Sequence, residues 1–172
     1  MNIYIRFRPK SILDFTMGWG GRLLGACALD IPYYIGIDIN KNLKQPYNDM
    51  IKLLKNYSKT NIKIIFNDAL KVDYSKLNYD LVLTSPPYYN IELYTGTKKQ
   101  SIEEWNNNFY IPLFTNTYKY LQTNGYYCLN IPNNIYNNIC IKLFGKSKYK
   151  IPLIKKSRNI NNYEEYIYIW QK

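Results

Sequence analysis

With 172 residues and 20.5 kDa the chain suits one domain with a buried core, and 47% hydrophobic against 20% charged residues is a globular, water-soluble composition. A net charge of +11 and 20 tyrosines suit a nucleic-acid partner, since lysines neutralise phosphates and rings stack on bases; an AT-rich genome, favouring Asn, Lys, Ile and Tyr codons, produces the same bias. No apolar run reaches the roughly eighteen residues of a spanning helix, so no membrane partner is expected; the absence of histidine excludes imidazole bases, the Ser-His-Asp triad and the usual zinc sites, so no metal is expected either.

The N-terminus, Met1-Asn2-Ile3-Tyr4-Ile5-Arg6, has no charged leader followed by an apolar stretch. Ser11–Phe15 reads as a first strand closing on Asp14. Glycines follow, then a helix over Arg22–Leu29. Tyr33–Asp38 is a second strand, again ending in an acid. Asn40 can cap the next helix, whose Met50, Ile51, Leu53 and Leu54 form a helical stripe. Asn61–Phe66 is a third strand, followed by Asn67-Asp68, and Tyr79–Thr84 a fourth, running into Ser85-Pro86-Pro87-Tyr88. Ser101 and Glu104 form a capping-box pattern opening a helix that ends near Leu121, with Pro112 set to kink or interrupt it. Tyr126–Ile131 is a fifth strand. Tyr149–Lys155 and Tyr163–Trp170 are two more, separated by the turn-rich Ser157–Asn162 and suited to antiparallel pairing. Cys27, Cys128 and Cys140 lie far apart and form neither a disulfide framework nor a CxxC knuckle. They suit buried thiols in an intracellular, reducing compartment: cytoplasmic, nuclear or virus-associated, and not secreted.

This alternation implies an α/β fold: a single doubly wound, mostly parallel seven-stranded sheet, Rossmann-like, with a C-terminal antiparallel hairpin, spanning residues 1–172 as one domain. Ligands of such sheets sit at the C-terminal strand ends, where all the motifs fall. The first is Asp14-Phe15-Thr16-Met17-Gly18-Trp19-Gly20-Gly21. It departs from GxGxxG because Leu23 stands where the last glycine belongs, and no GxxxxGK[ST] occurs. Asp38 follows Asp14 by 24 residues, the place of a carboxylate that holds ribose hydroxyls. Asp68 closes the third strand, where an acid can read the amino group of an adenine. Each acid alone is more often a solvated cap or turn residue. Together with Thr16, Gly18 and Gly20 they outline an acid-lined crevice for a cofactor with ribose, adenine and an ammonium group but no phosphate.

Thr84-Ser85-Pro86-Pro87-Tyr88-Tyr89-Asn90 carries the second motif. With the glycine loop before it, the sequence resembles the S-adenosylmethionine-dependent amino-methyltransferases of DNA, whose hallmark at this strand end is [DNS]PP[YFW]. Asp14–Asp38 with TSPPYYNIELY also looks like phage and large-virus members of that group. The resemblance implies S-adenosyl-L-methionine as cofactor, held by Asp14, Thr16, Gly18, Gly20, Asp38 and Asp68. It further implies methyl transfer to cytosine N4 or adenine N6 at Ser85, Pro86, Pro87 and Tyr88. Arg158-Asn159 followed by Tyr163–Trp170 matches the family's last hairpin.

Physically, two prolines hold the loop rigid, so the Ser85 side chain and Pro86 carbonyl can accept the hydrogens of an exocyclic amine and localise its lone pair. Tyr88 would supply a stacking face for a flipped base. The sequence departs from the family at Thr16, where an aromatic is usual, and in lacking a target-recognition region: about sixteen residues separate Ser85 from the next helix. Tyr4–Pro9 is a candidate remnant of the segment touching the cofactor's methionine part. Sequence selectivity would then come from a protein partner, from short loops, or not at all. Transfer to RNA or a protein amide, and an inactive methyltransferase-like structural subunit, stand as alternatives.

Overall fold

In the computed structural model, which describes residues 1–89, 99–153 and 165–172, seven strands form one sheet. They are β1 (Ser11–Asp14), β2 (Tyr33–Asp38), β3 (Asn61–Phe66), β4 (Leu81–Thr84), β5 (Tyr126–Pro132), β6 (Tyr149–Pro152) and β7 (Glu165–Gln171). Their spatial order is β3-β2-β1-β4-β5-β7-β6, with β7 antiparallel to both neighbours and every other pairing parallel. Chain order reverses between β1 and β4, which pair directly through Ile12 with Leu81 and Leu13 with Val82. That junction is where a doubly wound sheet opens a ligand crevice.

The central strands are buried throughout, as expected for parallel strands covered on both faces. Alternate residues serve opposite layers. Ile12, Leu81, Cys128 and Ile169 pack in the layer of α1 (Asn2–Phe7), α2 (Gly21–Cys27) and α3 (Lys44–Leu54). Leu13, Val82, Leu129 and Tyr168 face the other layer. It contains α4 (Ile102–Trp105), a π-helical turn (Asn106–Tyr110) and α5 (Ile111–Lys119), and then α6 (Asn133–Ile135), a second π-turn (Tyr136–Cys140) and α7 (Ile141–Phe144).

The α/β sheet and its antiparallel C-terminal strands agree with the sequence. Several boundaries differ. β4 begins at Leu81, two residues late: the Asp80 carboxylate turns back to accept the Lys10 and Ser11 N–H groups at 2.8–3.1 Å. Asn40 caps a 3-10 turn (Lys41–Leu43) that leads into α3. The Ser101–Glu104 capping box forms as expected. Pro112 lies in the first turn of α5, directly after the π-turn, whose wider winding accommodates a residue with no N–H to give. Two elements went unread. The asparagines at 133, 134, 137 and 138 mask the helical segment buried through Ile135, Ile139 and Cys140. Tyr4–Pro9 belongs largely to α1, whose Phe7 stacks on Tyr126 with ring centroids 4.0 Å apart, at the strand end opposite the motifs. Asn90 and Ser157–Asn162, including Arg158 and Asn159, lie outside the described residues. Among the described residues no helix is long and apolar enough to cross a membrane.

Candidate active site

The first loop follows from Asp14. Its carboxylate is fully buried, and its charge is compensated on all sides. Arg22 Nε lies 2.7 Å from Oδ2, the Tyr34 hydroxyl donates to the same oxygen at 2.7 Å, and Thr84 Oγ1 donates to Oδ1 at 2.9 Å. Arg22 also donates to the Thr16 carbonyl, so one cation ties the strand end to the loop. Burial opposes the Arg22 charge, but Asp14 outweighs it and raises the guanidinium pKa. Burial first, and then the Asp14 charge, push the Tyr34 hydroxyl well above the ordinary 10.0. Asp14 therefore shapes the loop from beneath; being enclosed, it is not the face a ligand meets.

Gly18 and Gly20 both have positive φ, at 55° and 85°. A side chain at Gly20 would also meet Met50 Cε at 2.9 Å, whereas a Cβ at Gly18 or Gly21 meets nothing within 4 Å. The Tyr47 hydroxyl, on α3, donates to the Gly18 carbonyl at 3.0 Å and holds the loop from that side. Between the glycines Trp19 projects outward, 84% exposed. Asp38, half-buried at the end of β2, accepts the Gly18 N–H at 2.9 Å and the Asn40 N–H at 2.8 Å. Asp68 accepts the Leu70 N–H at 3.0 Å, capping the 3-10 turn Ala69–Lys71. Both acids remain partly exposed at successive strand ends.

The second loop is joined to the first by hydroxyls. Thr16 Oγ1 lies 2.6 Å from Thr84 Oγ1 and donates to the Ser85 carbonyl at 3.0 Å. The residue that departs from the aromatic usual in the resemblance is thus the bolt between the loops. Ser85 is half-buried, with Oγ 2.7 Å from the Tyr88 hydroxyl and 3.3 Å from Asn130 Nδ2. Tyr88 in turn donates to the Asn130 carbonyl at 3.0 Å. Pro86 is buried and Pro87 half-buried. Tyr110, delivered by the first π-turn, donates to the Pro87 carbonyl at 2.6 Å and accepts the Tyr89 N–H at 2.9 Å. Tyr88 is only 6% exposed, so its ring is enclosed in the core rather than offered as the open platform expected from sequence.

Of the ten residues selected from the sequence, eight lie on two loops in direct contact, Asp38 at the end of β2 bonds the first loop through Gly18, and Asp68 stands at the neighbouring end of β3. Three others went unselected. Arg22 had a signal: a cation in the first turn of a helix opposes the helix dipole and needs a reason. Asn130 stands near the end of β5, where the strand-end rule could have found it. Tyr110 had none, because only the π-turn brings it to the loop.

The sequence matches no family model and none of the curated proteins. Its fold matches many solved structures. A methyltransferase from Methanosarcina mazei described as SAM-dependent aligns with a TM-score of 0.69 at 12% identity, over 100% of this chain and 97% of that one. An rRNA methylase from Streptococcus thermophilus aligns with a TM-score of 0.58 at 12% identity, covering 94% of this chain and 86% of its own. NSun6 from Pyrococcus horikoshii, solved with SFG, aligns with a TM-score of 0.64 at 16% identity, covering 94% of this chain and 47% of that one. The chain has the Rossmann-like α/β fold that these methyltransferases share.

Proposed function

We propose that this chain is an S-adenosyl-L-methionine-dependent methyltransferase acting on an exocyclic amino group of a DNA base, cytosine N4 or adenine N6. The observation that carries the proposal is the contact of the two loops across the β1–β4 junction, with Thr16 bonded to Thr84 and Ser85. The residues at the first loop fit the cofactor. Open space at Gly18 and Gly21 leaves room along the loop, and half-buried Asp38 presents its carboxylate beside it. Asp38 would hold the ribose hydroxyls and Asp68 the adenine amino group, while Asp14 keeps the loop in shape. When bound, the cofactor supplies an electrophilic methyl group on sulfur.

The chain's own contribution is positioning and electrostatics. Ser85 Oγ and the Pro86 carbonyl accept the amine hydrogens and localise the nitrogen lone pair, and no histidine is required. Charge supports a nucleic-acid acceptor: residues 105–153 contain five lysines and no acid. Lys150 stands on the edge strand β6, with Lys148 just before it, and the Lys150 ammonium lies 3.6 Å from the Tyr166 ring centre. A cation and a ring side by side suit a phosphate and a base. RNA-base amines form a second acceptor class, favoured by the rRNA methylase among the structural neighbours. Incubation with methyl-labelled S-adenosylmethionine and DNA, RNA or glutamine-containing peptide tests the proposal. Label is expected in DNA and lost in Ser85→Ala. Cofactor binding without transfer to any nucleic acid would overturn it.

A further inference from the structure

We propose that the outer edge of the sheet, at β6, is a docking track for the phosphate backbone of the DNA whose base is methylated. The proposal deepens the methyl-transfer reading and rests on it for the position of the target base. β6 is the last strand of the sheet, so one side of its backbone has no strand beside it. Three exposed cations gather there: Arg6 from α1, Lys148 just before β6 and Lys150 within it. Each lies over a tyrosine ring. The Arg6 guanidinium carbon is 4.3 Å from the Tyr149 ring centre and the Lys148 ammonium 5.7 Å from the same ring, while the Lys150 ammonium is 3.6 Å from Tyr166. Lys148 also donates to the neutral Gln171 side chain at 2.6 Å. Among the described residues none of the three pairs with a carboxylate, whereas Arg22 is matched by Asp14 and Lys76 by Asp73. A ring orients a cation through its quadrupole and leaves the charge intact; a carboxylate would cancel it. The edge cations are thus held in place and uncompensated, which suits an anion that repeats at regular spacing.

The pairing register sets the distance of this track from the proline loop. Thr84, the last residue of β4, pairs with Leu129, Leu129 with Tyr168, and Tyr168 with Lys150, so the four stand on one rung across the sheet. Three strand-to-strand steps separate Thr84 from Lys150, about 14 Å at roughly 4.8 Å each. Duplex DNA advances about 3.4 Å per nucleotide, so Lys150 meets the backbone about four nucleotides from a base held at Ser85. Arg6 and Lys148 continue the track at the Tyr149 end of β6. The acid of this strand pair, Glu165, stands at the other end, opposite Pro132. Lysines also guard edge strands against pairing with another chain. That role needs neither an arginine supplied by a helix nor a ring beneath each cation, and its loss would show as self-association.

Fluorescence anisotropy with a labelled mixed-sequence DNA duplex, and with RNA of the same sequence, tests the proposal without requiring transfer. Lys150→Ala is expected to weaken duplex binding about 3- to 10-fold and to lower the salt slope of log affinity by about one. Replacing Arg6, Lys148 and Lys150 together with alanine should lower that slope by about two to three. Lys150→Arg should restore binding. Lys52→Ala, on α3 at the β3 side of the sheet, removes the same charge and should leave affinity within about twofold. Melting temperatures should not move. In transfer assays Lys150→Ala should raise KM at constant kcat on duplexes reaching about eight nucleotides beyond the target base, and change neither on those reaching about two. An unchanged salt slope in the triple variant overturns the proposal, as does an equal loss from Lys52→Ala, or a dimer of Lys150→Ala that binds DNA normally. Tighter binding of RNA through the same lysine would overturn the choice of DNA. Binding that depends on Lys150 with no transfer to DNA would end the methyl-transfer reading and uphold the edge as a DNA surface.

Discussion

The two loops that meet at the β1–β4 junction are held by opposite means. The glycine loop rests on a buried ion pair, Asp14 with Arg22, backed by the Tyr34 hydroxyl. The proline loop rests on neutral groups: two threonine hydroxyls, the Asn130 amide and the hydroxyls of Tyr88 and Tyr110. A buried charge needs all its partners, so the first loop is stiff and fails as a unit. Neutral hydrogen bonds can be lost one at a time at smaller cost, so the second loop can be altered without unfolding the chain. Changes at the first should appear in stability and cofactor affinity, and changes at the second in rate.

The largest effect belongs to the second loop. Ser85→Ala should reduce kcat by about 100- to 1,000-fold, the scale for removing one preorganised contact to developing charge. Single-turnover transfer at saturating cofactor measures it, and a melting curve should show little change. Next is Asp14→Ala, which leaves Arg22 beside an emptied buried position. Loss of about 3 kcal/mol is expected, near the low end for breaking a buried pair because the Arg22 side chain is 27% exposed. Thermal unfolding should show it as a fall of about 6–12 °C for a chain of this size. Asp38→Ala should weaken S-adenosylhomocysteine binding by about 10- to 100-fold, the worth of charge-assisted hydrogen bonds, with melting nearly unchanged. Calorimetric titration separates that loss from the Asp14 effect. If both aspartates behaved alike, the contrast between shaping and contacting would fail.

A pH series sharpens the same contrast. Burial, then Asp14, raises the Tyr34 hydroxyl, and burial likewise raises Tyr127 under the other layer. A raised acid binds its proton more tightly in the folded state. The stability it contributes is complete below the ordinary value of 10.0 and declines as pH climbs toward the folded value. Melting temperatures should therefore hold to about pH 9 and fall steeply above about pH 10. Tyrosinate absorbance should appear together with unfolding rather than before it. The smallest effect is Ser101→Ala, which removes the cap of α4 for about 1 kcal/mol and leaves both loops untouched.

Much of the sheet was legible because strands are short apolar runs rich in β-branched and aromatic residues, as in Tyr33–Asp38 and Asn61–Phe66, both read to the residue. The glycine and proline motifs were legible because backbone conformation restricts the residue types that can occupy them. The helical segment behind Asn133–Phe144 was not, since its buried stripe is spread through polar asparagines and a π-turn that disturbs the 3.6-residue period. The role of Asp14 was hidden for a different reason. Sequence places a carboxylate at a strand end but says nothing of the arginine that folds back eight positions later to neutralise it. Tyr88 was hidden likewise: an aromatic after two prolines reads as an exposed plate, whereas the fold turns its hydroxyl inward to the Asn130 main-chain carbonyl.

Trp19 equips the molecule with an optical probe. Trp105 and Trp170 are 6% and 3% exposed, against 84% for Trp19 on the glycine loop. Excited at the indole band, the protein should emit from two shielded fluorophores and one open to dissolved quenchers such as iodide. Material settling along that loop would change the quenchable fraction alone, so occupancy could be followed in a cuvette with no label attached.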